Sequence, residues 1–272
     1  MSQPTRSFAD VDALARRISA LRHPTTGRAA PHFFIEGIRH FVQAVDARRP
    51  IEAIVISPVL QPSSLVEMLV RRLKHSGTPV FRVTPERFRA LSTAERVSGI
   101  GALVTKQWTP LEELDPTRGL CLLAIEELRS AGNLGTILRT AEACGVGGVL
   151  FLGEREGQTW CDPFDPAVLR AGMGGVFHLP LVRTTHAALR TWRERHHVTF
   201  VGLAPSAAEL WTEMPRDERL CLVLGEERQG LTPELTAQCD VQVRLPMTGR
   251  ADSLNVGIAA GVALYELMRR VH

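Results

Sequence analysis

The sequence predicts an α/β fold in two parts, and three observations support that prediction. Short β-branched or aliphatic runs alternate with amphipathic stretches along most of the 272 residues. The runs in the C-terminal part are apolar at successive positions, which is typical of strands buried on both faces of a parallel sheet. Residues 107–119 are polar, contain two prolines and lack periodicity, which favours a linker. We therefore expect one domain over residues 1–106 and a second over residues 120–272.

The N-terminal part is expected to begin with a helix from Val11 to Leu21, where apolar residues recur at helical spacing. Residues 24–27, with the sequence PTTG, are expected to break that helix. The further predicted elements are strands at residues 32–35, 51–56, 79–83 and 99–104 and helices at residues 36–45, 65–73 and 86–91. This alternation indicates a small α/β domain.

The C-terminal part has the longer apolar runs. Its predicted strands lie at residues 120–125, 148–152, 198–203, 220–224 and 241–245, and its predicted helices at residues 133–144, 187–195 and 255–270. A further helix is expected after Thr232, a capping residue that is followed by Pro233 at the first helical position. The pattern predicts a mainly parallel sheet.

Composition excludes several classes of protein. The hydrophobic fraction of 44% supports packed cores. No apolar run approaches the roughly 20 residues that cross a bilayer, and acidic residues stand near the N-terminus where a signal peptide needs an apolar run. We therefore expect a cytoplasmic protein. The five cysteines include no C-x-x-C pair, so neither a disulfide framework nor a metal site is expected.

Basic residues are concentrated in the first part of the chain. Residues 1–108 hold 16 Lys and Arg against 8 Asp and Glu, whereas residues 109–272 hold 16 against 21. Arginine supplies nearly all of this positive charge, and its guanidinium suits bidentate phosphate contact and stacking on bases. The distribution indicates nucleic acid on the N-terminal side, although an ordinary solvated surface would explain the same charges.

Three segments carry the candidate chemistry, and the first is SAGNLGTILRTA at residues 130–141. It lies between a predicted strand and a helix, where open α/β sheets bind ligands. Asn133 is expected to cap the helix, with Arg139 about two turns further along. Each residue alone also fits an ordinary helix cap or surface arginine.

The second segment is VLGEERQGLT at residues 223–232, again after a buried strand. Gly225 and Gly230 allow close approach of a ligand to the backbone, and Glu226 and Glu227 can accept hydrogen bonds. Surface loops often have this composition, so this segment alone is weak evidence for a site.

The third segment is LPMTGRADSLNVGIAAG at residues 245–261, where a strand ends and a helix opens near Asn255. Gly257 and Gly261 fall within that helix, and each glycine costs ~1 kcal/mol relative to alanine. We therefore expect a backbone or a cofactor to pack very closely there.

Together the three segments resemble the motifs of the SpoU (TrmH-like) branch of the SPOUT RNA methyltransferases. The family patterns are N-x-G-x-x-x-R-T-A, G-x-E-x-x-G-L and P-M-x-G…S-L-N-V, and all three occur in order within residues 120–272. The segments FIEGIRH at 34–40 and VFRVT at 80–84 are similar to the ribosomal-protein-like substrate-binding domain that precedes many SpoU catalytic domains. The resemblance implies a deep trefoil knot and methylation of an RNA ribose 2′-hydroxyl by S-adenosylmethionine.

The resemblance also implies a set of site residues. Those expected to bind the cofactor are Leu203, Ala204, Gly225, Gly230, Leu245, Met247, Ser253 and Leu254. Those expected around the reacting ribose are Arg139, Asn133, Glu227, Ser253 and Asn255. Those expected to contact RNA are Arg39, Arg82, Arg139 and Arg170.

The chemical role of Arg139 follows from its guanidinium. A guanidinium holds its proton too tightly to act as a general base, so Arg139 is expected to hold a substrate phosphate or to stabilise the developing alkoxide. The proton acceptor is then Glu227, a phosphate oxygen or water.

The resemblance implies a homodimer that acts on ribosomal RNA, with transfer RNA as the alternative. The chain departs from the family at Glu226, where Asn or Ser is common, at residues 130–132, where a proline is usual, and at Gly172, where many relatives have Ser. Two other classes of protein are alternatives. A nicotinamide-dependent oxidoreductase needs a G-x-G-x-x-G turn after an early strand, which this sequence lacks. An RNA-binding or assembly protein that keeps the fold without catalysis stays open.

Overall fold

A computed structural model of the protein describes residues 10–92, 94–153, 161–213 and 219–271. Residues 1–9, part of the N-terminal segment considered above, lie outside the described residues. The chain divides into two compact units. The first unit ends at Lys106 and also takes in Phe164–Pro166, and the second comprises Gln107 to Pro163 and the residues from Ala167 onward.

The first unit contains a four-stranded sheet. Its helices are α1 (Val11–Leu21), α2 (Pro24–Ala29), α3 (Ile38–Asp46), α4 (Ser64–His75) and α5 (Pro85–Leu91), and its strands are β1 (His32–Glu36), β2 (Ile51–Ile56), β3 (Val80–Arg82) and β4 (Ile100–Thr105). The strand order is β1-β4-β2-β3, in which β4 is antiparallel to both neighbours and β2 runs parallel to β3.

Helices α1 and α5 cover one face of this sheet. Leu14 and Ile18 of α1 and Phe88 of α5 pack with Val55 and Leu103 from the central strands. Neighbouring strand residues point to opposite faces, so the remaining buried residues of β2 and β4 face the side on which α3 packs.

Helix α1 ends at Leu21, so the prediction that the PTTG segment interrupts the leading helix is confirmed. The same segment also opens a second, short helix, which was not predicted. Residues Pro24–Ala29 form the short helix α2, because proline at the first helical position has its φ angle already set. A Cβ on Gly27 would lie 2.3 Å from the carbonyl oxygen of Leu21, so only glycine fits where α1 and α2 meet.

The second unit contains a seven-stranded sheet. Its strands are β5 (Leu122–Glu126), β6 (Gly148–Leu152), β7 (Leu181–Thr184), β8 (Thr199–Leu203), β9 (Glu209–Leu210), β10 (Leu220–Leu224) and β11 (Val241–Arg244), and its helices are α6 (Ala131–Ala143), α7 (Pro166–Gly172), α8 (His186–His196), α9 (Pro233–Thr236) and α10 (Val256–Val271). The order is β7-β6-β5-β10-β8-β11-β9, and every strand pair is parallel.

Strands β5, β6 and β10 are buried along their whole length, as their continuous apolar sequences predict. The α/β architecture and the helix after Thr232 are as predicted, whereas α7, β7 and β9 were missed because they are short. Leu111 and Leu114 of the proposed linker segment belong to the buried core of this unit. The trefoil knot stays a prediction.

None of the helices in the described ranges has the length and apolar character needed to span a membrane.

Candidate active site

The three segments of interest meet at the carboxyl edge of the sheet in the second unit. Strands β5 and β10 are parallel neighbours, with Leu224 opposite Ile125, so the loops that follow them emerge side by side. The loop after β11 leads to α10, which packs against α6. Ligands commonly bind at this edge of open α/β sheets.

Helix α6 begins at Ala131, two residues before the start expected from the sequence. The Ser130 hydroxyl accepts a hydrogen bond from the Asn133 amide at 3.2 Å, so Ser130 is the cap and the expectation that Asn133 caps this helix is wrong. The Asn133 side chain is therefore available for contacts outside its own helix.

A chain of hydrogen bonds joins the three segments through their polar side chains. Asn255 Nδ2 donates to Asn133 Oδ1 at 2.9 Å, and Asn133 Nδ2 donates to Glu227 Oε1 at 3.2 Å. Asn255 Oδ1 caps α10 by accepting from the Gly257 and Ile258 amides at 2.9 and 3.3 Å. The orientation of both asparagine amides is thus fixed.

Glu227 accepts from the backbone of the first segment as well. Its carboxylate oxygens take hydrogen bonds from the Arg129 and Ser130 amides at 3.3 and 3.0 Å. Partial burial raises the pKa of Glu227, but the hydrogen bonds from Ser130 and its neighbours outweigh burial and hold the pKa below its ordinary value. The Glu227 carboxylate is therefore ionised at neutral pH.

Glu226 points away from this hydrogen-bond chain. Its Oε2 accepts from the Arg228 and Gln229 amides at 2.9 and 2.7 Å, and its side chain is only 9% exposed. Arg129 Nε lies 3.8 Å from the other oxygen. Glu226 thus closes the turn in which it lies.

Gly225 and Gly230 bring the two ends of that turn into backbone contact. A Cβ on Gly225 would lie 2.2 Å from the carbonyl carbon of Gly230, which leaves no space for a side chain. Gly230 has a φ of +70°, in the left-handed region. Both glycines are required by the geometry of the turn.

A cleft of about 390 Å³ lies beside the turn. All eight residues expected to bind a cofactor line it: Leu203, Ala204, Gly225, Gly230, Leu245, Met247, Ser253 and Leu254. The sequence reasoning missed Gln229 and Gln242, which also line the cleft. Gln242 lies in strand β11, which was predicted as a strand with no binding role for its polar residues. Its polar side chain was the available signal.

The predicted arginines lie outside the lining of the cleft. Arg139 on α6 and Arg170 on α7 are both exposed. In the first unit, Arg39 is exposed, and Arg82 makes a bidentate ion pair with Glu67 at 3.1 and 2.9 Å.

Gly172 has a structural explanation as a packing residue. Helices α6 and α7 approach so closely that a Cβ on Gly135 would lie 2.4 Å from the Ala171 methyl group and 2.8 Å from the Gly172 nitrogen. A Cβ on Gly172 would in turn lie 3.3 Å from the Gly135 carbonyl oxygen, which is tight. Small residues on both helices make this contact.

Within the part of the chain that the structure describes, no three His, Cys, Asp or Glu side chains are grouped as ligands for a metal ion.

Comparison with known proteins identifies the family. Residues 121–265, more than half of the chain, match the model of the SpoU rRNA Methylase family. The chain belongs to the SpoU methyltransferase family. This confirms the resemblance drawn from the three segments.

Several SpoU relatives cover most of the chain. A 23S rRNA (guanosine(2553)-2′-O)-methyltransferase of Bacillus subtilis is 28% identical and covers 86% of this chain and 88% of its own length. The AdoMet-bound rRNA methyltransferase of Sinorhizobium meliloti has a TM-score of 0.85 at 27% identity, and 95% of both chains is covered. The SpoU methyltransferase AviRb of Streptomyces viridochromogenes has a TM-score of 0.81 at 26% identity, with 95% of this chain and 97% of that chain covered.

Proposed function

We propose that the chain transfers the methyl group of S-adenosylmethionine to a ribose 2′-hydroxyl of ribosomal RNA. The observation that carries this proposal is the hydrogen-bond chain Asn255–Asn133–Glu227, which unites the three SpoU segments beside a cleft of small-molecule size. The methyltransferase names of the Bacillus subtilis and Sinorhizobium meliloti relatives support the same reaction.

The cleft fits S-adenosylmethionine. Gly225 and Gly230 line the cleft, and their backbone groups offer polar contacts to a ligand. Leu203, Leu245 and Leu254 supply apolar surface. When bound, the cofactor supplies an electrophilic methyl group on a sulfonium cation.

Asn133 and Asn255 are proposed to orient the substrate ribose. Each side-chain amide carries two N–H groups, and each donates one of them within the chain of hydrogen bonds. The second N–H of each can donate to a substrate oxygen. Their fixed orientation reduces the entropy lost when the hydroxyl is placed for attack.

Glu227 is proposed to anchor the site rather than to act as its base. Its carboxylate already accepts hydrogen bonds from Arg129, Ser130 and Asn133, and its pKa lies below the ordinary value because these bonds outweigh the effect of burial. A carboxylate so stabilised has little tendency to take the proton of a ribose hydroxyl. A phosphate oxygen or water is left as the acceptor.

Arg139 is proposed to hold a substrate phosphate or the developing alkoxide. It lies on α6, six positions after Asn133, and it is exposed. A guanidinium stays charged at every physiological pH, so it suits charge stabilisation and not proton removal. Ser253 lines the cleft close to Leu254 and is proposed to complete the site.

The first unit is proposed to hold RNA through exposed arginines, among them Arg39. Arg82 is less available than the sequence suggested, because Glu67 holds its guanidinium in a bidentate pair. Hydrogen bonding to Arg82 lowers the pKa of Glu67, so this pair persists at neutral pH. The protein is proposed to act in the cytoplasm as a homodimer.

The direct test incubates the protein with labelled S-adenosylmethionine and total RNA from cells that lack its gene. Labelled ribosomal RNA is expected, and Arg139→Ala is expected to lose about 100-fold in rate through lost charge stabilisation. Arg190→Ala is the matched control, since Arg190 is an exposed helical arginine of the same unit. Label in transfer RNA alone would show that transfer RNA, and not ribosomal RNA, is the substrate. No label in any RNA would overturn the proposal.

A further inference from the structure

A partly buried polar cluster adjoins the end of the turn at residues 225–231 and includes none of the proposed catalytic residues. Glu126, the last residue of β5, is only 4% exposed. The Thr232 hydroxyl donates to its Oε2 at 2.8 Å, and His186 Nε2 lies 2.8 Å from its Oε1. His186 Nδ1 in turn lies 3.3 Å from Gln238 Nε2. We call these four residues the Glu126 cluster.

Thr232 connects the cluster to the cleft. Its hydroxyl accepts a hydrogen bond from the Leu235 amide at 3.2 Å while donating to Glu126, so one oxygen joins β5 to the start of α9. Gly230 and Leu231, the two residues before Thr232, line the cleft. The carboxylate of Glu126 therefore fixes where the turn ends.

The same strand fixes where the turn begins. Ile125 lies opposite Leu224 in the sheet, and Leu224 immediately precedes the turn. The segment that follows Glu126 supplies the Arg129 and Ser130 amides that bind Glu227 within the turn. Both ends and the middle of the turn are thus held by β5 and its loop.

The negative charge of Glu126 strengthens its hydrogen bond with Thr232. Burial raises the pKa of Glu126, but hydrogen bonds from His186 and Thr232 outweigh burial and hold the pKa below its ordinary value. A buried ionised carboxylate that loses a hydrogen-bond partner is strongly disfavoured. Displacing Thr232 therefore costs free energy, which keeps the turn in one position.

We propose that Glu126 is a positioning residue for the cofactor: acting through Thr232, it holds the turn at residues 225–231 in the shape that binds S-adenosylmethionine. The inference rests on the proposed function. Neither Glu126 nor Thr232 lines the cleft, so both act on the cofactor only through the position of the turn.

The test measures S-adenosylmethionine binding by titration calorimetry. Thr232→Val keeps the shape of the side chain and removes the hydroxyl, and it is expected to raise the Kd about 10-fold through misplacement of the turn. Thr232→Ser keeps the hydroxyl and is expected to bind like the parent. Thr84→Val is the matched control, because Thr84 caps α5 in the first unit as Thr232 caps α9.

Steady-state kinetics separate positioning from general loss of stability. Thr232→Val is expected to raise the KM for S-adenosylmethionine while kcat at saturating cofactor and the KM for RNA stay unchanged. Thr84→Val is expected to lower Tm by about as much as Thr232→Val does, because both lose a helix cap, but to change neither KM. Glu126→Gln keeps the side-chain volume and should show the same changes as Thr232→Val. It serves as the test variant if Thr232→Val does not fold.

Parent-like binding by both Thr232→Val and Glu126→Gln would overturn the inference and leave the proposed function intact. A parent protein that binds no S-adenosylmethionine would instead overturn the proposed function, and the inference with it.

Discussion

Asn133 and Glu227 are 94 positions apart in the sequence, yet their side chains share a hydrogen bond of 3.2 Å. At the scale of single residues, the site depends on which polar side chains can bind distant partners because neighbouring residues already cap the helix and close the turn. Ser130 caps α6, which leaves Asn133 for Glu227, and Glu226 closes its own turn, which leaves Glu227 for Asn133. The two neighbouring glutamates therefore have different roles.

The anchoring role of Glu227 predicts a specific pH behaviour. A carboxylate with a lowered pKa in the folded state contributes stability above its unfolded pKa, and that stability is lost as pH falls through the folded pKa. Glu227 should therefore stay ionised between pH 6 and 9 and contribute no pH dependence to kcat or to stability in this range. Glu227→Gln is expected to lower kcat about 10-fold at every pH in this range by weakening the anchor.

The measurement is the pH profile of kcat for Glu227→Gln beside the parent, with the exposed Glu194→Gln as control. A profile that loses its alkaline rise in Glu227→Gln alone would identify Glu227 as the base instead.

At the scale of elements, the glycines of the second unit differ in how closely other backbone segments approach them. Glycines in α10 led to the expectation of very close packing at both Gly257 and Gly261. In the described residues, a Cβ on Gly261 would meet only the Thr140 methyl group at 3.8 Å, an ordinary contact, so no backbone of the described chain packs closely there. The alternative, close packing of a cofactor, stays a prediction. The close approaches lie between α6 and α7 at Gly135 and within the turn at Gly225.

Gly225→Ala is expected to abolish the geometry of the turn, because its Cβ would overlap the backbone of Gly230. A displacement of about 1 Å at the cofactor loop corresponds to a loss of about 100-fold in kcat/KM. Calorimetric binding of S-adenosylmethionine and steady-state rates check this prediction. Gly132→Ala is the control, because among the described atoms its Cβ would meet only Ser130 Oγ at 3.7 Å. Parent-like binding by Gly225→Ala would show that the turn adapts to a side chain.

At the scale of the whole molecule, one face of α10 is apolar and exposed. The stripe consists of Leu254, just before the helix, and Ile258, Val262 and Tyr265 within it, which are 39%, 56%, 47% and 54% exposed. Their spacing places them on one helical face. Leu254 also lines the cleft, so a second copy packed on this stripe would lie beside the site.

The stripe leads to a prediction about assembly. Ile258→Glu combined with Val262→Glu should convert a homodimer into monomers, because two buried unpaired carboxylates oppose association. Light scattering after size-exclusion chromatography measures the mass. Val59→Glu is the control, since Val59 is 76% exposed and belongs to the first unit. A parent that is monomeric, or a double variant that stays dimeric, would contradict the prediction.

The sequence by itself predicted most of the longer helices and strands and, through its family motifs, part of the lining of the cleft. Continuous apolar runs predicted the buried parallel strands, because a strand covered on both faces is apolar at successive positions. The resemblance to the SpoU motifs named eight of the residues that line the cleft. Short elements such as α7 and β7 carried too few residues to show a period.

Only the tertiary structure decided the roles of individual polar groups. The pairing of Asn133 with Glu227, the lowered pKa of Glu227 and the ion pair that occupies Arg82 depend on residues distant in the chain. The same holds for Thr232. The sequence predicted it as a helix cap, and in the folded protein its hydroxyl also donates a hydrogen bond to Glu126. Hydrogen bonds and charge interactions act over a few ångströms of space, so a linear sequence cannot specify which partner a polar side chain meets.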